Sequence, residues 1–388
     1  MRFVVLVAAA SILSTTVPRP GTAQLFDRMS NPKVTVTLNH PPDLGLLVGQ
    51  FAFGPATGQR ADEVVMALQR DLAASGMRVL DQRGFLNALA DHQFVYTGFI
   101  DQPIAIGMGK FLGPTALLMV DVSRANIDRQ QSSSTSTDNH NVKHTTWRSK
   151  TRAELRVSIR AVDLRTGQSF PPQVLDRNAE KENVVEEKCC ASYPSEREVF
   201  ELALQQVVAD AHRLLVVWAE PQDLIFFDDK DCHMNVASDM VKAGDIQGAA
   251  RQSESNVEAC KATPDLDDKK LAHSYYNVGM VAFLEGRYNN ALYMFEQAQK
   301  VKDIGITTDA MTLVKRAMQS YSELQAFVAR RADALGAATS EARTGATDSA
   351  PARLSPLERL KALDAAYKAG LLTKEEYDKK KAEILKEM

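Results

Sequence analysis

The sequence predicts an α/β N-terminal region, an all-α module of helical pairs and a small C-terminal helical hairpin. Three observations carry this. From Pro32 to Trp218, apolar runs of strand length alternate with segments of helical spacing. Beyond an Ala219-Glu220-Pro221 break, Gly244 and Gly286 divide amphipathic stretches into helix-turn-helix pairs. An Ala/Ser/Thr/Gly-rich stretch, 332–355, then reads as a flexible linker to a last short amphipathic unit, 356–388.

In the first region, residues 32–218, Leu44–Phe53 is an apolar strand closed by Gly54-Pro55. Glu63–Ser75 has Val64, Leu68 and Leu72 on one helical face, and Gly76 stops it where a left-handed backbone costs little. Met77–Asp81 is a second strand, and Gln82–His92 a second helix carrying Phe85, Leu86 and Leu89. Pro103–Leu112 is a third helix before Gly113-Pro114, and Ala116–Val122 is another strand. In Ala153–Asp163, Leu155, Val157, Ile159 and Ala161 alternate with Glu154, Arg156, Ser158 and Arg160, the period of a half-buried strand. Arg165-Thr166-Gly167 is a turn, and an amphipathic helix over Glu196–Trp218 closes the region. Two polar insertions interrupt it: 127–151, rich in serine and threonine, and 171–195, charged and containing Cys189-Cys190.

Residues 1–23 combine a basic start, a Phe3–Leu13 apolar run and a Gly21-Thr22-Ala23 ending, the pattern of an export signal. The run is shorter than the roughly 20 residues of a membrane span. The chain is therefore expected to be exported and periplasmic, at most peripheral to the outer membrane, with no span in the mature protein. No cysteine stands at the cleavage point to take a lipid anchor. The formal net charge of −3 argues against nucleic acid, whose binding favours a basic excess.

The helical module, residues 231–330, holds Asn235–Ala243 and Ile246–Ala259 around Gly244, then Tyr275–Leu284 and Arg287–Val301 around Gly286. Each turn glycine is followed five residues later by an alanine, Ala249 and Ala291, an internal repeat. Thr308–Arg330 adds a further helix. The four cysteines are open to pairing in an exported chain. Cys232 precedes the first helix of the first pair and Cys260 ends its second. Antiparallel hairpin geometry brings those ends together, so a Cys232–Cys260 bridge is expected. Adjacent Cys189 and Cys190 do not easily bond each other without backbone strain. No CxxC pair or nearby histidine cluster points to zinc.

Tyr275, Val278, Gly279, Gly286, Tyr288, Ala291, Phe295 and Ala298 stand at the spacing of a tetratricopeptide repeat, which the second pair resembles. Gly279 and Ala291 are small where two helices cross closely, and Phe295 fills the groove beside them. Ala282 and Asp303 depart from the family's large residue and proline. The resemblance implies stacked helical pairs presenting a concave face to a peptide or protein partner.

The tail resembles the short C-terminal oligomerisation domain called SHOCT. Leu357, Leu360 and Leu363 make one stripe, Gly370, Leu372 and Thr373 lie in the turn, and Glu376, Tyr377, Ile384 and Leu385 follow. Thr373 and Glu376 form a capping box for the second helix. A unit of about thirty residues has too little core to stand alone, so docking or self-association is expected. Finally, Leu46–Phe51, Leu80–Arg83, Leu86–Leu89, Gly113–Leu118, Leu155–Gly167 and Ala203–Val216 resemble the periplasmic domain of the CsgG family, known for the curli secretion channel. Channel members build a barrel from two long hairpins, at the places of the two insertions here. A membrane strand needs about 9–11 residues with alternate ones apolar, and neither insertion supplies that period.

Catalytic chemistry is not expected. His140 and His144 are four apart but sit in a Ser/Thr/Asn-rich loop context, and Asp228-Asp229-Lys230-Asp231 lacks the glycine and terminal glutamate of a calcium loop. Gly107-Met108-Gly109 is not a phosphate-binding pattern, and no GxSxG, HExxH or P-loop occurs. No metal or cofactor is expected. The reading is a non-enzymatic envelope assembly or adaptor protein that binds protein partners through its repeats and self-associates through its tail. The alternatives are a pore or accessory component of curli-type secretion, and a periplasmic hydrolase with no residues to support it.

Overall fold

The computed structural model describes residues 32–91, 102–186 and 189–344, with Leu363, Tyr377, Lys380, Lys381, Ala382 and Ile384. The expected export signal lies outside the described residues. The elements run β1 (Lys33–His40), β2 (Gln50–Phe53), β3 (Thr57–Gly58), α1 (Ala61–Ala74), β4 (Arg78–Leu80), α2 (Gln82–Asp91), α3 (Gln102–Leu112), β5 (Thr115–Thr137), β6 (Lys143–Asp163), β7 (Gln168–Ser169), β8 (Gln173–Glu186), α4 (Glu196–Leu215) and β9 (Trp218–Ile225). Then follow α5 (Met234–Lys242), α6 (Ile246–Ala262), α7 (Asp268–Leu284), α8 (Tyr288–Val301) and α9 (Ile306–Thr344). The described residues divide into two compact units: those up to Val36 with Asp223–Val314, and Thr37–Gln222 with those from Lys315 onward. The division falls inside α9, whereas the sequence expectation kept 231–330 together.

The unit built on Thr37–Gln222 is a mixed seven-stranded sheet ordered β4-β2-β5-β6-β7, with β3 beside β5 and β8 beside β6. β2 is parallel to β4 and β5, while β6 is antiparallel to β5, β7 and β8. Strand alternation sends Phe51 and Phe53 to one face and Ala52 to the other. On the first face, Val64, Leu68 and Leu72 of α1 and Val199, Phe200, Ala203 and Val207 of α4 join Leu118, Val120, Val157 and Ile159 in one core. Each fully buried aliphatic side chain contributes about 1.5–3 kcal/mol there. On the second face, Phe85 of α2 and Ala105 and Met108 of α3 cover Leu117 and Val162. Gly109 lets α3 approach closely, since a Cβ there would stand 2.2 Å from the Leu164 carbonyl oxygen.

The residues of the two expected polar insertions are ordered into the sheet: 127–151 form the far half of a continuous β5–β6 hairpin, and 173–186 form β8, paired with β6 from Thr146 to Ile159. Two other boundaries move. The helix ends at Leu215, and the expected break at Ala219–Pro221 lies within β9, which pairs with β1 in a two-stranded sheet where proline leaves only an edge unpaired. α9 continues through the first part of the expected linker, to Thr344, where Ala332, Ala334, Leu335, Ala337, Ala338, Glu341, Ala342 and Arg343 favour helix.

The other unit packs α5–α6 and α7–α8 as successive antiparallel pairs, with Gly244 and Gly286 at positive φ, +80° and +73°, in the two turns. Asp245 and Asp267 cap α6 and α7 by accepting from the backbone N–H of Gly248 and Lys269, at 2.8 and 2.9 Å. Cys232 and Cys260 are bonded, with their Cα atoms 5.0 Å apart.

Candidate interaction site

The most unusual local structure is the part of β5–β6–β8 that extends past the helices. A register shift between Val122 and Arg124 places two β5 residues opposite one on β6. This bulge re-aims the strand. It keeps Ala125 and Ile127 on the face shared with Leu155 and Ala153, and sends Arg124 and Asn126 to the opposite face. From Arg124 to Thr137 the strand covers roughly 45 Å at the usual rise.

The opposite face is rich in charge, with Asn126, Gln130, Asn178 and the exposed Val174 and Val184 interspersed. Arg148, Lys150, Arg152 and Arg156 of β6 lie between Glu180, Glu182 and Asp176 of β8 and Arg124 and Asp128 of β5. Arg124 and Arg152 both reach Glu154, at 3.4 and 3.1 Å; Lys150 reaches Glu180 at 2.6 Å and Arg148 reaches Glu182 at 3.3 Å. Such exposed pairs each contribute about 0–1 kcal/mol, but together they let a strand with no apolar period persist. Past Val122, the outer edge of β5 carries no strand partner among the described residues, and neither does the outer edge of β8. Unpaired edges of this length are templates for another chain.

The helix-side face is covered by α4 near its base and by Cys189–Ser195 farther out. That strap is held by side-chain donors on all three strands. Ser149 Oγ and Gln131 Nε2 donate to the Ala191 carbonyl at 2.6 and 3.3 Å. Asn183 Nδ2 donates to Ser192 O at 2.8 Å, and Thr151 Oγ1 to Pro194 O at 2.9 Å. Cys189 and Cys190 are bonded to each other through a cis peptide bond, with Cα atoms 3.1 Å apart. The sequence reading is that adjacent cysteines do not easily bond; here the two are bonded. Beyond the strap stand Ser133, Trp147 and Val185 in register, then Thr135 opposite Thr145. His140 and His144 share no helical face: Asp138 accepts from the backbone N–H groups of His140 and Val142 in the hairpin turn, and His144 lies on β6.

One constellation resembles catalytic machinery. His40 Nδ1 is 3.1 Å from Ser320 Oγ, and its Nε2 is 3.1 Å from Glu220 Oε2. Arg316 donates to both Glu220 oxygens, at 2.9 and 3.1 Å. Burial pushes the Glu220 carboxyl upward, but Arg316 and His40 outweigh it and hold it below the usual range. The His40 ring stacks on Trp218 at 4.2 Å, with the Arg213 guanidinium 3.9 Å from the Trp218 ring centre. A nucleophile needs an accessible hydroxyl with its proton facing the base. Ser320 is only 4% exposed, and its hydroxyl donates to the Asn39 carbonyl at 2.6 Å. The cluster is therefore a pin joining β1, β9 and α9. A nearby cavity, lined by Leu46, Val48, Met77, Leu215, Phe327 and Arg331, holds about 80 Å³, well below the roughly 300–1,000 Å³ of small-molecule sites.

In the helical module, Ala291, Phe295 and Ala298 are fully buried and Val278 nearly so. The Phe295 ring sits where a Cβ on Gly279 would lie 2.6 Å from it. Gly286 makes the turn, while Tyr275 and Tyr288 are half-buried at the rim, near Lys261 and Phe283. Sequence reasoning missed the polar lock beneath this unit. Asn277 accepts from the Phe227 N–H at 3.0 Å and donates to its carbonyl at 2.7 Å. His273 stacks on the Phe227 ring at 3.6 Å and meets Asp229 at 2.7 Å, and that hydrogen bond holds the Asp229 carboxyl below its ordinary range. A mid-helix asparagine between Tyr276 and Val278 was the available signal.

Of the tail residues, Leu363 and Ile384 are buried, and Lys381 donates to the hydroxyl of half-buried Tyr377 at 3.2 Å. Leu357, Leu360, Gly370, Leu372, Thr373, Glu376 and Leu385 lie outside the described residues. Among the described residues no helix is long and apolar enough to cross a membrane.

No family model matches the chain, and no curated protein matches it. Among the solved structures with partial similarity are the following three. A lipoprotein from Neisseria meningitidis is 11% identical with a TM-score of 0.26, over 42% of this chain and 97% of that one. A minor lipoprotein from Acinetobacter baumannii is 14% identical with a TM-score of 0.19, over 43% and 88%. A hypothetical protein from Chlamydia trachomatis is 11% identical with a TM-score of 0.24, over 43% and 98%. Likenesses this small assign neither fold family nor function.

Proposed function

We propose that this chain is an exported, non-enzymatic assembly or adaptor protein that associates with copies of itself and holds a protein partner. The observation that carries the reading is the β5–β6–β8 extension: long strand edges without partners among the described residues, on a sheet whose exposed face is ionic. The helical pairs α5–α6 and α7–α8 support the partner-binding role through their repeated turn geometry and the close Gly279–Phe295 crossing. The tetratricopeptide, SHOCT and CsgG resemblances belong to this proposal. The test is the solution mass of the intact protein together with its cellular fraction. A multimer in the soluble periplasmic fraction supports the reading; a single-chain mass overturns it.

A second reading, a component of a secretion pore, gains one observation. β5 and β6, at 23 and 21 residues, exceed the roughly 9–11 residues that cross a bilayer. The side chains oppose it. One face bears Arg148, Lys150, Arg152, Glu180 and Glu182, and the other bears Gln131, Ser149, Thr151 and the polar strap. A lipid-facing strand needs an apolar band about 25 Å tall. Retention in the outer membrane after a carbonate wash would favour the pore.

A further inference from the structure

We propose that Cys189–Cys190 is a surface thiol–disulfide exchange site, while Cys232–Cys260 is a structural bond kept out of that chemistry. Exchange begins when an external thiolate reaches one sulfur of a disulfide, so access separates the two bonds. Cys189 and Cys190 are both exposed on the strap. Of the other bond, Cys232 is half-buried and Cys260 is 2% exposed at the end of α6, its sulfur 3.9 Å from the Lys270 carbonyl, so an attacking thiolate has less access there.

The strap also frames the pair without relying on the bond. Ser149 and Gln131 hold the carbonyl of Ala191, the residue directly after Cys190, and Asn183 and Thr151 hold Ser192 and Pro194. Opening the bond leaves these contacts in place. The cysteines are adjacent in sequence, so their bond closes no loop on which the fold depends. The other bond spans a separation of 28 residues and restrains the unfolded chain. Once opened, the two thiols remain neighbours, which makes re-closure intramolecular.

The step balances with a thiol as co-reactant. An external thiolate attacks one cysteine sulfur, the Cys189–Cys190 bond breaks, and the other cysteine leaves as a thiolate that takes a proton from water. A second external thiolate attacks the external sulfur of the mixed disulfide, forming an external disulfide and releasing the second cysteine. Two electrons pass from two external thiols to the pair, and the reverse direction oxidises a partner dithiol. The partner is thus a thiol compound, either a free small thiol or a protein dithiol.

The test incubates the full chain with reduced glutathione in one arm and reduced thioredoxin in the other, then alkylates and maps peptides by mass. In at least one arm, Cys189 and Cys190 are expected to label about tenfold or more faster than Cys232 and Cys260, with the helical circular dichroism unchanged. Labelling by glutathione assigns a small thiol; labelling by thioredoxin alone assigns a protein dithiol. Equal rates at the two bonds, or no labelling at Cys189 and Cys190 in either arm, overturns the proposal. A Cys190→Ser variant in oxidised glutathione should accumulate a mixed disulfide at Cys189, and failure to do so also counts against it.

Discussion

Two histidines show how single residues tie the α/β unit together. His212 on α4 meets Asp71 on α1 at 2.8 Å. That hydrogen bond, working against burial and reinforced by the Asp71 charge, raises the imidazole above its ordinary value. A raised folded-state value stabilises fully below the unfolded value near 6.5 and loses that contribution as pH rises through the folded value. Unfolding midpoints should therefore fall as pH climbs above about 6.5, and His212→Gln should flatten that slope; an identical slope in the variant would refute the assignment. Ser320→Ala probes the second pin. It strands the Asn39 carbonyl and one His40 nitrogen, at a cost of about 1–3 kcal/mol. Chemical denaturation should show that loss. A fold of unchanged stability that had lost a hydrolytic activity would reverse the structural assignment of His40, Ser320 and Glu220.

At the scale of elements, the two helical pairs and the strand extension rest on different physics. The pairs depend on close approach: Gly279→Ala pushes a methyl against the fully buried Phe295 ring, for about 1–3 kcal/mol of destabilisation. Cys260→Ser removes the bond that staples the first pair and should cost about 2–4 kcal/mol. Thermal melts of both variants measure this, and a melt unchanged from wild type in either would contradict the packing described. These pairs were legible in the sequence because each turn glycine, Gly244 and Gly286, is followed five residues later by an alanine, Ala249 and Ala291, and in the second pair Phe295 stands at the spacing that fills the crossing. The extension was not. In Gln130–Thr137 neither face is apolar, so hydrophobic alternation, the signal by which strands are read, is missing. What forms that stretch is backbone pairing to β6, with polar cross-strand contacts such as Gln131 to Ser149 and Thr135 to Thr145 in place of an apolar period. The Ser–His–Glu pin was equally hidden, since it joins positions 40, 220 and 320 with no local motif.

For the whole molecule, the same extension decides between readings. It is long enough to suggest a channel, yet its side chains suit water on one face and a polar strap on the other. The proposed self-association would use the strand edges of this extension and the tail. Light scattering of the intact chain, beside the chain lacking Pro356–Met388, tests that claim most directly. The account predicts a multimer for the intact protein and fewer copies after the deletion; an unchanged multimer would move the contact from the tail to the strand edges. A single-chain mass for the intact protein at micromolar concentration would contradict the account.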